Sequence, residues 1–294
     1  MHRAVMIDEV LQNLRPKAGN IIVDCTIGDA GHTRSICQQI QPTGRLIGID
    51  QDTEALNRAS NNLKEYKDLC TLVHGNFRNL DNILDDLKIS GADGIIFDLG
   101  LSSFQIEVAE RGFSFRHSGP LDMRMDRTSQ LPAYQLINCL SQDEISKILR
   151  TYGEERWSNR IARYIIRARE KAPITTTTQL ADIVRKAVPA RNWHRRIHPA
   201  TKTFQAFRIV INQEIEALKQ GLTVAIAHLN PGGRVCVISF HSLEDRVVKE
   251  KFKNYSRQGV LKIITKKPLI PSRAEISDNR RSRSAKLRVA EKIG

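Results

Sequence analysis

The sequence predicts an α/β fold in which a parallel, doubly wound sheet carries an inserted all-helical domain. Two observations support that expectation. Short apolar, β-branched runs ending in glycine or aspartate alternate with helical periodicity through the first hundred residues, the pattern of successive strand-helix-strand units. Between about 106 and 198 the strands stop and helical spacing alone continues, after which the alternation resumes. The expected division is a sheet domain over 1–105 and 199–294, with the helical insertion over 106–198.

Residues 20–28, NIIVDCTIG, read as a buried strand running into a tight turn, and GHTRSICQQI reads as the helix after it. RLIGID (45–50), TLVHGNF (71–77) and GIIFDLG (94–100) supply three more buried strands. Within the insertion, 134–150, 154–171 and 178–188 carry helical spacing. A long helix is predicted from Pro199, with Phe204, Phe207, Ile211, Ile215 and Leu218 on one face at spacings of three and four. The turn Asn230-Pro231-Gly232-Gly233 then launches the strand RVCVISF. Residues 243–254 suggest a helix, and 260–265 and 285–291 a closing pair of edge strands.

The 294 residues include 46 Lys and Arg against 32 Asp and Glu, a formal charge of +14 that suits a polyanionic partner through counterion release. Hydrophobic residues make up 40% of the chain, which argues against global disorder. Cys25, Cys37, Cys70, Cys139 and Cys236 form no C-x-x-C pair and no Cys/His grouping at zinc spacing. No metal is expected, and the thiols suit a reducing compartment. No apolar signal core and no run near the roughly 18 apolar residues of a membrane span are seen, so a cytoplasmic location is expected. Whether the chain pairs as a homodimer is left open.

Open α/β sheets bind ligands beyond the carboxyl ends of their strands, so the residues closing each strand are the candidate site. The first strand ends in Asp24 and the loop Gly28-Asp29-Ala30-Gly31-His32. A dinucleotide enzyme would show G-x-G-x-x-G, and the carboxylates here would repel a pyrophosphate. They would instead suit a cationic ligand, which favours S-adenosylmethionine, with its ammonium and sulfonium centres, over a nicotinamide cofactor. Asp50 closes the second strand where an acidic side chain can accept ribose hydroxyls, although an Asp there can equally cap a helix. Phe77, after Gly75-Asn76, is placed to lie against adenine or in the core.

Asp98 ends the fourth strand, followed by Ser102 and Ser103. An exocyclic base amine is a weak nucleophile because its lone pair is delocalised, so it needs an acceptor for its protons and an in-line donor. Asp98 with Ser102 or Ser103 could supply the acceptor, while the serines also suit capping of the next helix.

Several longer segments then become recognisable. DLGLSSFQIEVAERGFSFRHSGPLDMRMD (98–126), YGEERWSNRIA (152–162), IHPATKTFQAFRI (197–209), GGRVCVISFHSLEDRVVKEKF (232–252) and KPLIPSRAEISDNRRSRSAKLRVAEK (267–292) together resemble the bacterial small-subunit (16S) ribosomal RNA cytosine-N4 methyltransferase family. The resemblance implies a class I, Rossmann-like S-adenosylmethionine-dependent methyltransferase sheet. It also implies methylation of the N4 amine of one cytidine in the decoding region, on small-subunit ribosomal RNA or the assembled subunit. Carried over by position, the implied cofactor residues are Ala30, Gly31, His32, Asp50, Phe77, Asp98 and Gln105. Two departures stand out: Asp29-Ala30 where the family usually has glycines, and Ala4 where it has a proline. Ala30 fits a tight loop if its φ is negative; a positive φ would strain it.

Arg156, Arg160, Arg163 and Arg167 recur at four, three and four residues, one row on a predicted helix, with Trp157, Ile161, Tyr164 and Ala168 on the neighbouring packing face. Such a row suits phosphate contact. Arg191, His194, Arg195 and Arg196 around Trp193, and Arg273, Arg280, Arg281, Arg283 and Lys286, form two further basic groups. Trp193 suits an anchoring core position more than base stacking. His117 lies on a Gly/Pro-punctuated segment expected to act as a lid, and Met123 and Met125 read as core. The competing reading is an RNA-binding ribosome-assembly factor that retains the fold without turnover.

Overall fold

The computed structural model describes residues 4–128, 131–193 and 198–294. The chain divides into two compact units, Met1–Gly100 with Ile215–Gly294, and Leu101–Glu214. The first unit opens with α1 (Ile7–Leu14), β1 (Ile21–Asp24), α2 (Gly31–Ile40), β2 (Arg45–Asp50), α3 (Thr53–Asn62), β3 (Cys70–His74), α4 (Leu80–Asp86) and β4 (Ala92–Asp98). The second holds α5 (Ser103–Glu107), α6 (Ala133–Cys139), α7 (Gln142–Gly153), α8 (Ser158–Arg169), α9 (Thr177–Ala187) and α10 (Thr201–Ile211). Then α11 (Glu214–His228), β5 (Leu229–Ser239), α12 (Ser242–Arg257), β6 (Leu261–Ile263), α13 (Arg273–Asp278) and β7 (Lys286–Lys292) complete the first unit.

The strand order is β3-β2-β1-β4-β5-β7-β6, with β1 to β5 parallel and β7 antiparallel to both its neighbours. This is the doubly wound, mostly parallel sheet that the strand-helix alternation predicted. Strands β1, β2, β4 and β5 are buried on both faces along most of their length, which explains why they read as continuous apolar runs rather than alternations. Ile22, Leu46, Ile96 and Cys236 pack into a layer with α1 and α2, while Val23, Ile47, Ile95 and Phe97 pack into a layer with α4, α11 and α12. The expected pair of closing edge strands is corrected: β7 lies between β5 and β6, with Leu287 to Ala290 all buried.

The long helix expected from Pro199 is two helices. Asn212, buried between them, accepts a hydrogen bond from Met125 N (2.8 Å) and donates from its amide to Met123 O and Arg208 O (both 2.9 Å). Gln213 follows at φ 51, so the side-chain amide and a left-handed residue end the helix although the apolar periodicity runs on. Phe204, Phe207 and Ile211 belong to the core of the second unit, which therefore spans Leu101–Glu214 rather than 106–198. The 134–150 window likewise splits at Ser141, whose hydroxyl accepts from Glu144 N while Glu144 accepts from Ser141 N, a reciprocal cap that starts α7.

Met123 and Met125 are core residues, as expected. The segment around them is pinned by the buried Arg111, which donates to Arg124 O (3.1 Å) and Met125 O (3.0 Å). Within the expected lid, Arg116, His117 and Ser118 are exposed, and the His117 carbonyl accepts from the Thr177 hydroxyl at 3.2 Å.

Candidate active site

The sheet order reverses at β1, which pairs with β2 on one side and β4 on the other, so a crevice opens beyond their carboxyl ends. The loop leaving β1 is strapped to both neighbours. Thr26 Oγ1 accepts from Asp98 N at 2.6 Å, and Gly28 N donates to Asp50 Oδ2 at 2.9 Å. Backbone bonds from Cys25 N to Ile96 O and from Ile27 N to Ile49 O continue the two ladders into the turn. Residues closing β2 and β4 thus hold the loop that leaves β1, and Thr26, a strut in it, was not singled out from sequence.

Two carboxylates expected to face a cationic ligand are otherwise engaged. Asp29 Oδ1 accepts from Arg58 Nε of α3 at 2.7 Å, which offsets its charge. Asp24 is 2% exposed, accepts from Thr33 Oγ1 (2.7 Å) and Thr26 N (3.1 Å), and burial pushes its carboxyl up from the ordinary range. Asp24 therefore ties β1 to α2. The electrostatic preference for a cation falls instead to Asp50 and Asp98.

Ala30 caps α2 at φ 64 and ψ 28, the left-handed region in which an L residue is strained. Gly31 leaves no room for a side chain: a Cβ there would lie 2.8 Å from the Ala4 Cβ. The departure at Ala4 thus meets the loop directly. His32 is 5% exposed; its Nε2 lies 2.9 Å from Val5 O, and its Nδ1 lies 3.7 Å from Asp98 Oδ2.

Asp50 accepts from Gly28 N and, through Oδ1, from Asp52 N at 2.9 Å, while Asp52 itself caps α3. Burial pushes the Asp50 carboxyl up to about 6, against the pull of those two N–H groups. Each Asp50 oxygen keeps a lone pair for a ligand hydroxyl. Burial also lifts Asp98 to about 6; His32 pulls it down, and Asp24 and Glu244 push it up. The Asp98 side chain is a quarter exposed, yet its Oδ1 is buried and meets no hydrogen-bond partner among the described residues. An unmet acceptor at a strand end suits a donor that a ligand would bring.

Phe77 packs edge-on to Phe97 at 5.4 Å between ring centroids, and a Cβ on Gly221 of α11 would come 2.7 Å from its Cδ2. Its ring is half-buried at the margin of the core, so the two alternatives read from sequence are compatible.

One family profile matches residues 1–293, almost the full length. The chain belongs to the MraW methylase family. This family member is 47% identical over 307 aligned residues to the ribosomal RNA small subunit methyltransferase H of Brevibacillus brevis, across 99% of this chain and 98% of that one. The protein of the same name from Pelobacter propionicus is 46% identical over 308, with the same coverage, and that from Clostridium botulinum 46% over 307, covering 99% of each.

In the second unit of this MraW-family chain, Ser102 caps α5. Its hydroxyl accepts from Gln105 N at 3.2 Å, and Gln105 Oε1 accepts from Ser102 N at 3.1 Å. Ser103 is the first residue of that helix and is buried. Along α8, Arg163 and Arg167 are exposed, while Arg160 is half-buried with its guanidinium 5.7 Å from the Tyr164 ring centroid. Arg156 precedes the helix, which starts at Ser158 rather than 154; it is exposed and stacks 5.4 Å from the Trp157 ring. Ile161 is core, with Trp157, Tyr164 and Ala168 packed against it.

Arg195, Arg196 and His194 lie outside the described residues. Trp193 is not a core anchor: it is 42% exposed, with its indole N–H donating to Val188 O at 3.0 Å. In the first unit, Arg281 is half-buried and Arg283 exposed in the short 3₁₀ segment Arg280–Ser284. Among the described residues, no helix is long and apolar enough to cross a membrane.

Beyond β5, His241 and Glu244 meet at the head of α12. The two start α12 reciprocally, His241 Nδ1 accepting from Glu244 N and Glu244 Oε2 accepting from His241 N and Phe240 N. The H-x-x-E spacing is a readable signal once imidazole is admitted as a cap.

Proposed function

We propose that the protein methylates small-subunit ribosomal RNA with S-adenosylmethionine as donor, at the N4 amine of one cytidine in the decoding region. The observation that carries this reading is the placement of Asp50 and Asp98 on the strands flanking β1, with Asp98 Oδ1 buried and unmet. The RNA class is supported by the names of relatives that match from end to end. The N4 position rests on the sequence resemblance and on the chemistry of Asp98.

When bound, S-adenosylmethionine supplies an electrophilic methyl group on a sulfonium sulfur. Asp50 accepts the ribose hydroxyls, the Gly28–His32 loop gives close backbone approach, and Phe77 offers a ring to the adenine. Asp98 would accept a proton of the amine, whose conjugated lone pair makes it a poor nucleophile, as the N–C bond forms and the methyl–sulfur bond breaks, the electron pair of that bond staying on a neutral thioether sulfur. Ser102 and Gln105 are engaged in starting α5, so in this reading the proton passes to Asp98. Arg163, Arg167 and Arg283, with the partly covered Arg160 and Arg281, supply phosphate contacts.

Nucleoside mass spectrometry of ribosomal RNA from cells lacking the protein tests the proposal. Loss of one N4-methylcytidine is expected, and an intact modification overturns it. The left-handed Ala30 favours a second reading, an assembly factor with a weakened cofactor loop. Calorimetry with S-adenosylmethionine, followed by tritium transfer to small-subunit RNA, separates the two: the second reading requires RNA binding without transfer.

A further inference from the structure

Resemblance assigns His32 to the cofactor, yet its imidazole makes two contacts inside the protein. A carbonyl can only accept, so Nε2 carries hydrogen and donates to Val5 O at 2.9 Å. That leaves Nδ1 turned to Asp98 Oδ2 at 3.7 Å, too long for a hydrogen bond, so the ring attracts the carboxylate only in the form in which Nδ1 carries a proton as well. The anchor is itself held: Met6 N donates to Glu275 Oε1 of α13 at 2.7 Å, and Val10 N bonds back to Met6 O at 2.9 Å. Ring orientation is therefore set by protein contacts.

The groups facing Asp98 are His32 from α2, Asp24 from β1 and Glu244 from α12. Two are carboxylates that, together with burial, favour the neutral acid. A neutral carboxyl cannot take the amine proton. The imidazole is the group among them that favours the anion.

We infer that His32 is a positioning residue for Asp98: anchored on the Val5 carbonyl, its ring lies against Oδ2 and leaves Oδ1 for a donor on the ligand or base. The inference rests on the reading of Asp98 as proton acceptor given above.

His32→Gln tests it, because the amide can still donate to Val5 O but carries no charge. In cofactor-free protein, the ¹³Cγ titration of Asp98 is expected near pH 6 in the parent and about one pH unit higher in the variant. The acid limb of single-turnover methyl transfer should move with it, the rate recovering at alkaline pH; a purely structural loss would depress the rate at every pH. An unshifted Asp98 midpoint overturns the inference. If His32→Gln does not fold, the parent decides: the ring nitrogens of His32 and the Asp98 carbon must titrate as a coupled pair, and independent curves overturn it. Asp98→Asn separates the two layers. Full methylation by that variant sinks the reading of Asp98 itself, whereas a dead Asp98→Asn beside an unshifted His32→Gln sinks the role of His32 alone.

Discussion

Replacing Ala30 by glycine asks whether the loop at the head of α2 stores strain. Ala30 sits at φ 64, is 1% exposed and packs in the layer with α1 and α2. Deleting a buried methyl costs about 0.8 kcal/mol, and the added freedom of the unfolded chain costs about 0.4–1 kcal/mol more. An ordinary buried Ala→Gly change would therefore lose roughly 1.2–1.8 kcal/mol. Here the change also removes the left-handed penalty of about 1–2 kcal/mol. The net is expected within about 0.8 kcal/mol of zero, with affinity for S-adenosylmethionine held or raised. Ala30→Val, a β-branched residue forced into the same region, should lose about 2 kcal/mol or more. Urea titration and calorimetry on the three proteins are the assay. A loss of about 1.5 kcal/mol or more in Ala30→Gly, the size of the unrelieved change, would show that no strain is stored there.

Three further outcomes are expected. Asp50 and Asp98 both titrate near 6, so below that pH cofactor binding must displace protons, and affinity should fall about tenfold per pH unit for each carboxylate engaged; calorimetry giving a flat profile would reject their role. The sign for folding is opposite: both lie above the roughly 3.9 of an unfolded Asp, so their contribution to stability is full below that value and is lost as pH rises through 6. Gly221→Ala, which in an exposed helix would stabilise, should instead cost about 1–3 kcal/mol, because the new Cβ meets Phe77 Cδ2 at 2.7 Å and Phe77 O at 3.0 Å; a raised melting temperature would contradict this packing. Changing Arg163 and Arg167 to Gln should lower the slope of log affinity against log salt by about 1.4 for single-stranded RNA. An unchanged slope would remove α8 from the RNA-binding surface.

The central strands were readable because each is a local apolar run, and burial on both faces makes that run continuous; RLIGID maps onto β2 residue for residue. The candidate positions Asp50 and Asp98 were readable for the same reason, since a carboxylate closing such a run lies at the crevice. The short helices α1 and α13 escaped because eight and six residues hold too few turns for periodicity to show. The break at Asn212 escaped because its cause is a hydrogen bond to Met125, 87 residues away.

The sequence by itself determined the α/β alternation, the strand-end carboxylates, the basic character and the family resemblance, all properties of residue type and spacing along the chain. Tertiary structure alone decided which carboxylates remain for a ligand. Asp29 is engaged by Arg58, Asp24 by Thr33, and Asp98 faces a histidine whose ring is fixed by Val5. Those partners lie 9 to 66 residues from the carboxylates they serve, or 27 from the ring they hold. Burial and pairing set the charge of a carboxyl group, and both arise when the chain closes on itself.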